Sequence, residues 1–320
     1  MAKTTDGMLV EWGTRLFYSM PDKGKLVKKA STFKPGRITA SEIRNRVRQA
    51  VSPRAKQVVV KISGGGRGMA PIAAHMRYIA RQGKEEVGGR GKSLELEDQD
   101  GEKISGTQEI KALQHDWRVS GSFVEETSQR REAFNIVLSM PSGTPPEHVL
   151  DSARDFARDH FSGHKYVFVM HNDTDSPHVH LAVKAERWDG KRLNPRKADL
   201  QEWRESFAKR LQDRGIDAMA TRAASRNQSR ASQAIWRLRA GENVRAPRPG
   251  SRSGGSTAQS RAQAQESWRQ LGQALEASPE PGDQALASEV KRYVSETFDG
   301  QQQRPAPQPG TREQRPSPKR

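Results

Sequence analysis

The chain has 320 residues and a formal net charge of +17, and only 33% of its residues are hydrophobic. It contains no cysteine, which excludes disulfides, thiolate metal sites and cysteine nucleophiles. No apolar run approaches the roughly 20 residues that cross a membrane, and the N-terminus lacks the pattern of a signal peptide. We therefore expect a bacterial cytoplasmic protein that does not insert into membranes.

The positive charge is concentrated at the two ends of the chain. Residues 1–61 carry 14 Lys+Arg against 4 Asp+Glu, and residues 225–320 carry 16 against 9, whereas residues 62–224 carry 25 of each. A neutral centre with basic flanks favours a polyanionic partner such as nucleic acid, although a basic leader and a solubilising tail would give the same count. We predict a folded domain over 57–224, preceded by a basic extension (1–56).

The first half of the predicted domain alternates strands and helices. A capping-box pattern opens a basic helix over about 39–50, and the β-branched run QVVVKI predicts a strand over 57–62. A glycine-rich turn follows, and a proline suits the first turn of a helix over about 71–82. Residues 88–106 are polar and rich in turn formers, which predicts an exposed hairpin or loop.

The second half gives three more strands and two helices. The predicted strands cover 133–139, 166–170 and 179–184, and the predicted helices cover about 144–160, opened by Thr144 and Glu147 as a capping box, and about 194–214. The order predicts an α+β domain with a largely antiparallel central sheet flanked by helices. After residue 224 the pattern fades into a basic, low-complexity tail (225–320), which we expect to be largely disordered, with room for short helices around 231–239 and 262–276.

Three of the eight histidines fall within ten residues. Strand periodicity places His178 and His180 on one side of a strand, with Val179, Leu181 and Val183 on the other side. A hairpin loop over 172–177 brings His171, at the end of the preceding strand, alongside them. Three imidazoles that converge with open coordination positions are typical of a catalytic metal site. Ordinary strand and loop histidines are the alternative.

The acidic residue in this hairpin, Asp173, has three open interpretations: it orients a ligand imidazole, it binds the metal directly, or it is a turn residue. Imidazole ligands suit zinc, copper, nickel or manganese. A phosphate substrate favours Mg²⁺ or Mn²⁺ as the metal in use.

Tyr78 stands out among the four tyrosines because it lies opposite the apolar stripe of its predicted helix. It shares the exposed side with Arg77 and Arg81, and nearby positive charge favours a phenolate nucleophile. An ordinary surface tyrosine is the alternative. Tyr166 begins an apolar strand and is expected in the core.

Three motifs resemble one known family: a strand, glycine-rich turn and helix with tyrosine (VVVKISGGGRGMAPIAAHMRYIARQGK), a strand ending in Ser-x-Pro-x-Gly (NIVLSMPSG), and a histidine motif (HNDTDSPHVHLAV). In this order they resemble the P-type conjugative relaxases of the HUH endonuclease superfamily, which include plasmid mobilization nucleases and the T-DNA border endonuclease. The resemblance covers about residues 57–215. The chain departs from the family's simplest form by the 56 residues before its first motif.

The resemblance implies site residues and a reaction. Tyr78 would be the nucleophile, His171, His178 and His180 would hold Mg²⁺ or Mn²⁺, and Asp173 matches the acidic catalytic position. The predicted DNA contacts are Ser139, Arg67, Arg77 and Arg81. The expected reaction is a reversible nick in one strand at an origin of transfer that leaves a 5′-phosphotyrosyl link, without a nucleotide cofactor.

The implied partners are single-stranded DNA, a relaxosome accessory protein and a type IV coupling protein. The protein is expected to act as a monomer and to be exported with the transferred strand. Trp188 and Trp203 are candidate surfaces for base stacking, with core packing the default for Trp203. The alternatives are a rolling-circle initiator or transposase of the same superfamily, a non-catalytic nucleic-acid-binding protein, and a metal hydrolase that activates water.

Overall fold

A computed structural model describes residues 4–18, 38–82, 94–227 and 258–299. The described residues form two compact units. Residues 52–82 and 94–220 form one, called here the sheet unit, and the remaining described residues form the other, called the helical unit. The tail helix expected around 231–239 lies outside the described residues.

Helices and strands alternate through most of the chain. The α-helices are α1 Thr5–Phe17, α2 Ala40–Val51, α3 Met69–Ile79, α4 Gly106–Val119, α5 Pro146–Phe161, α6 Lys197–Gln212, α7 Ala258–Glu276 and α8 Asp283–Val294. The strands are β1 Lys56–Gln57, β2 Val59–Gly64, β3 Leu96–Asp98, β4 Lys103–Ile104, β5 Ala133–Ser139, β6 His164–His171, β7 His178–Arg187 and β8 Ala218–Met219. A 3₁₀ turn at Ala224–Arg226 and a π-helical turn at Ser295–Asp299 complete the elements.

The centre of the sheet unit is a six-stranded sheet with the order β2-β5-β7-β6-β3-β4. All of its pairs are antiparallel, and β6 and β7 form the predicted hairpin. The prediction of an α+β fold with a largely antiparallel sheet flanked by helices is confirmed. Strands β1 and β8 form a separate two-residue parallel pair.

The two faces of this sheet pack against different helices. One face, here the α5 face, packs with α5 and α6 into an apolar cluster that includes Leu181, Val183 and Phe156. The opposite face, here the α3 face, packs with α3 and α4 through a smaller cluster that includes Val169 and Ala182. Because strand side chains alternate, neighbouring residues of β6 and β7 belong to different faces.

Helix α4 has no counterpart in the sequence prediction, which gives no element for residues 107–132. Its apolar residues Ile110, Leu113 and Trp117 recur at helical spacing, and all three are buried against the α3 face. The Glu109 carboxylate accepts a hydrogen bond from the Ser105 backbone N–H at 2.7 Å, which satisfies a group at the start of the helix. A local signal for this helix was therefore present.

Only one of the two predicted capping boxes forms. Thr39 and Glu42 exchange hydrogen bonds of 2.9 and 3.2 Å at the start of α2. The Thr144 hydroxyl instead donates to the Pro141 carbonyl at 2.8 Å, and α5 begins at Pro146 without a side-chain cap. The prediction for Thr144 and Glu147 is wrong because the hydroxyl closes the preceding turn.

The helical unit joins both ends of the chain. Helices α1, α2, α7 and α8 share one buried apolar cluster around Trp268, which is fully buried. The Arg44 guanidinium donates to the Asp283 carboxylate at 2.9 and 3.1 Å across 239 residues of sequence. The expected disorder of the tail therefore does not extend to residues 258–299, because their apolar residues repeat at helical spacing and have partners at the other end of the chain. The domain boundaries themselves stay a prediction.

Candidate metal and nucleophile site

The register of the sheet determines which residues lie opposite the histidines. His171 of β6 lies opposite His178 of β7, which in turn lies opposite Ser139 of β5. Paired residues of an antiparallel sheet share a face, and so do residues two apart in one strand. The three histidines therefore lie together on the α3 face, with Val179, Leu181 and Val183 buried on the α5 face as predicted.

The three imidazoles are close enough to share one ion. Their ring centroids are 4.5 to 5.4 Å apart, and each ring offers one nitrogen within 4.8 Å of the other two. Among the described residues, this is the cluster of His, Cys, Asp and Glu that could hold a metal.

The hydrogen bonds of the rings suit metal binding. His178 Nδ1 lies 3.0 Å from the Ser176 carbonyl oxygen, and His171 Nε2 lies 2.7 Å from the Ile79 carbonyl oxygen. A carbonyl only accepts, so each of these nitrogens carries the proton and leaves the other nitrogen as a potential ligand. His180 Nδ1 is buried without a hydrogen-bond partner among the described residues, which a metal ion at the cluster would relieve.

The protonation state of the rings also favours metal binding. Burial lowers the pKa of His171, and it lowers the pKa of His180 to about 3, with the neighbouring histidines adding to the shift. A metal ligand must be a neutral imidazole. The three nitrogen donors thus fit a divalent ion, and burial favours the neutral form that binds one at His171 and His180.

Tyr78 lies at the edge of this cluster. It is on the last turn of α3, its side chain is 55% exposed, and its ring centroid is 6.2 Å from that of His180, in an edge-on arrangement. The predicted exposure of Tyr78 is confirmed, as is the burial of Tyr166.

The glycine-rich turn sets where α3 begins. Gly68 has φ of 103°, and a Cβ at this position would lie 2.3 Å from the Glu126 carbonyl oxygen. Only glycine combines this backbone conformation with such a close approach. The turn therefore fixes the start of the helix that carries Tyr78.

Asp173 reaches the cluster through Arg81. The Arg81 guanidinium is bonded to the Asp173 carboxylate and lies 3.0 Å from His171 Nδ1 through the same Nη2 atom. Although burial raises it, the pKa of Asp173 lies below its usual value because of the positive charge on Arg81. Asp173 therefore contacts an arginine that contacts a metal-ligand candidate, and the structure shows no direct contact of Asp173 with the histidine cluster.

The four predicted DNA contacts have different surroundings. Ser139 lies beside His178 on the α3 face and is half-buried. Arg77 is exposed on α3 and opens onto a groove between α3 and α4 of about 410 Å³, which three further basic or ring side chains line: Lys111, His115 and Arg118. Arg67 donates to the Gln129 carbonyl at 2.9 Å, and Arg81 is bonded within the site. DNA contact by these four residues stays a prediction.

The site predicted from the sequence does not include His75, whose imidazole lies beside Tyr78. His75 lies one turn before Tyr78 on α3, with its ring nearly parallel to the phenol at a centroid distance of 6.2 Å, and 6.4 Å from His180. Burial lowers the pKa of His75 to about 4. The signal that would have found it is its spacing of three residues from the tyrosine, which puts both on one side of a helix.

The two tryptophans are remote from the cluster or buried. Trp203 belongs to the core of the α5 face, as its default interpretation had it. Trp188 is 78% exposed and follows the last residue of β7, ten residues from His178. At about 3.3 Å per strand residue, it lies roughly 30 Å from the cluster. Base stacking on Trp188 stays a prediction.

Comparison with known proteins adds one match. No curated protein and no solved structure matches the chain. No helix of the described residues is long and apolar enough to cross a membrane. The family model described as relaxase, MobA/VirD2-like, nuclease domain, matches residues 78–216, from Tyr78 through the histidine cluster to the end of α6. This part of the chain is therefore similar to the nuclease domain of MobA/VirD2-like relaxases of the HUH type.

Proposed function

We propose that this protein nicks one strand of DNA at an origin of transfer and becomes joined to the new 5′ end through Tyr78. The observation that carries the proposal is the position of an exposed phenol 6.2 Å, ring to ring, from one of three clustered imidazoles. The match of residues 78–216 to a nuclease-domain family supports DNA as the substrate.

In the proposed reaction, the Tyr78 oxygen attacks the scissile phosphorus. A bond forms between the phenolic oxygen and phosphorus, and the bond from phosphorus to the 3′ oxygen breaks. The phenolic proton is lost to solvent and the departing 3′ oxygen gains one. Because one phosphate ester replaces another, no water is consumed and the reaction is reversible.

The chain's own residues would prepare this step in three ways. His171, His178 and His180 would hold Mg²⁺ or Mn²⁺, which neutralises charge on the phosphate oxygens when bound. His75 and His180 would both lie beside the Tyr78 ring, each at a centroid distance of 6.2 Å. Before the metal binds, Arg81 and Asp173 would hold His171 in place.

Single-stranded DNA would follow basic surface on either side of the nucleophile. Arg77, the residue before Tyr78, opens onto a groove that also contains Lys111 and Arg118, and Ser139 would contact the strand beside His178. Basic grooves bind phosphates without regard to sequence, so this surface would supply affinity and salt dependence rather than recognition of the nick site.

The biological setting we propose is conjugative mobilization in a bacterial cytoplasm. An accessory protein would expose the origin, and a type IV coupling protein would receive the protein with its attached strand. A replication initiator or transposase would use the same chemistry at a different DNA site.

The test is a denaturing gel of the protein with labelled single-stranded DNA from its element's candidate origins, with Mn²⁺. The wild type should give a protease-sensitive DNA-linked band, and Tyr78→Phe should lose it by more than about 1,000-fold while DNA binding changes little. Tyr293→Phe is the matched control, because its phenol donates to the Ser225 carbonyl at 3.2 Å within the helical unit.

Each other result has a defined meaning. An adduct that persists in Tyr78→Phe would assign the nucleophile to another tyrosine. Cleavage with free ends and no linked band would show that water attacks the phosphate, as in a metal hydrolase. Binding without cleavage across all candidate origins would indicate a non-catalytic DNA-binding protein.

A further inference from the structure

The His171 ring has one lone pair to offer. Its Nε2 must carry the proton, because it lies 2.7 Å from the Ile79 carbonyl oxygen and a carbonyl cannot donate. In the neutral ring the other nitrogen, Nδ1, is then the acceptor. Nδ1 is therefore the nitrogen through which His171 would bind a metal ion.

Arg81 already uses that lone pair. Its Nη2 lies 3.0 Å from His171 Nδ1, and a guanidinium is always protonated, so Arg81 is the donor. The contact is well supported, since the Arg81 side chain is only 14% exposed and is also bonded to Asp173. Its backbone turns sharply after α3, with φ of 58°, and this turn directs the side chain back toward the histidines.

We propose that Arg81 and the metal ion compete for His171, so that metal binding displaces the Arg81 guanidinium. This inference rests on the proposed metal site. One lone pair cannot accept a hydrogen bond and coordinate an ion at once, and a guanidinium beside a divalent cation is repelled by it. Arg81 thus weakens metal binding, which keeps the site responsive to metal concentration.

Displacement also changes what Arg81 can do. Its guanidinium carbon lies 5.9 Å from the Tyr78 ring centroid, so the released group remains next to the nucleophile. There the guanidinium still contacts Asp173, and the donors that no longer face His171 lie within reach of a phosphate. Metal binding would thereby convert Arg81 from a partner of His171 into a DNA contact.

The first experiment measures Mn²⁺ binding to the full-length protein by calorimetry, without DNA. Arg81→Met keeps the length of the side chain but can neither donate nor repel, and it should bind Mn²⁺ about tenfold more tightly than the wild type. Arg77→Met is the matched control, because it removes the same charge from the exposed side of α3 and should change the affinity by less than about twofold. His178→Ala should abolish Mn²⁺ binding both in the wild type and in Arg81→Met, which would locate the ion at the histidine cluster.

The second experiment uses the wild type and therefore does not depend on the folding of a variant. Phenylglyoxal modifies free guanidinium groups, and peptide mapping by mass spectrometry follows Arg81 separately from the other arginines. Addition of Mn²⁺ should increase the modification rate of Arg81 at least about threefold and leave that of Arg67, which donates to a backbone carbonyl, unchanged.

Opposite results overturn the inference. Unchanged or weaker Mn²⁺ binding in Arg81→Met would show that Arg81 supports His171 rather than competing for it, as would protection of Arg81 by Mn²⁺. An equal increase in Mn²⁺ affinity in Arg77→Met would show that the effect comes from the loss of one positive charge and not from the contact with His171. If the wild type forms the DNA adduct and these results occur, only the inference fails; if neither protein binds Mn²⁺ at the cluster, it fails together with the proposed metal site.

Discussion

The two faces of the central sheet use the same strands for different purposes. On the α5 face, Leu181 and Val183 are fully buried in the largest apolar cluster of the sheet unit. On the α3 face, the alternate residues of β7 include His178 and His180, which are only partly buried. The comparison teaches that stability and chemistry are separated by one residue along β7. Substitutions on the α3 face should therefore reduce activity, and substitutions on the α5 face should reduce stability.

The largest effect is expected from His180→Ala. It removes a proposed metal ligand, so Mn²⁺ binding and DNA adduct formation should both fall by more than about 1,000-fold. The free energy of unfolding in EDTA should change by less than about 1 kcal/mol, because Nδ1 makes no hydrogen bond and its burial is costly. Calorimetry, the gel assay and urea denaturation followed by circular dichroism measure the three quantities. A strongly destabilised variant would contradict the division between the faces.

The neighbouring change, Leu181→Ala, should show the opposite pattern. It opens a cavity among fully buried side chains and should lower the free energy of unfolding by about 2–5 kcal/mol. The fraction that remains folded should still form the adduct, so the rate per folded molecule at low temperature should stay within about threefold of the wild type. Loss of activity in molecules that remain folded would mean that packing on the α5 face positions the histidines more closely than we expect.

The smallest effect concerns pH. Burial lowers the pKa of His75 to about 4, whereas an unfolded histidine titrates near 6.5. The unfolded state therefore binds more protons than the folded state below about pH 6.5, so stability should fall as the pH drops from 6.5 toward 4. In EDTA, the thermal midpoint should decrease between pH 7 and pH 5, and His75→Leu should show a shallower decrease. An equal decrease in the variant would assign the effect to other groups.

Much of the site follows from local sequence patterns. The alternation in β7 predicts which face each histidine takes, and the helical stripe of α3 predicts that Tyr78 is exposed. These predictions succeed because each depends on residues close in sequence.

What the sequence did not reveal depends on residues far apart. The contact of Arg81 with His171 spans 90 residues and requires a positive φ at the arginine itself, a residue type that does not predict this conformation. The helical unit depends on pairs such as Arg44 and Asp283, and each end alone resembles a charged flank. Helix α4 and His75 differ from these, because both had a local signal.

Correct pairing of β5, β6 and β7 during folding determines whether the histidine site forms. His171, His178 and Ser139 stand opposite one another through backbone hydrogen bonds alone. A slip of β7 by a single residue would turn every one of its side chains to the other face. His178 and His180 would then enter the apolar core of the α5 face, and Val179 and Leu181 would take their places on the α3 face. Misregistered chains would thus be penalised by buried imidazoles before any DNA or metal is encountered, so the residues proposed for catalysis also act as a check on correct folding.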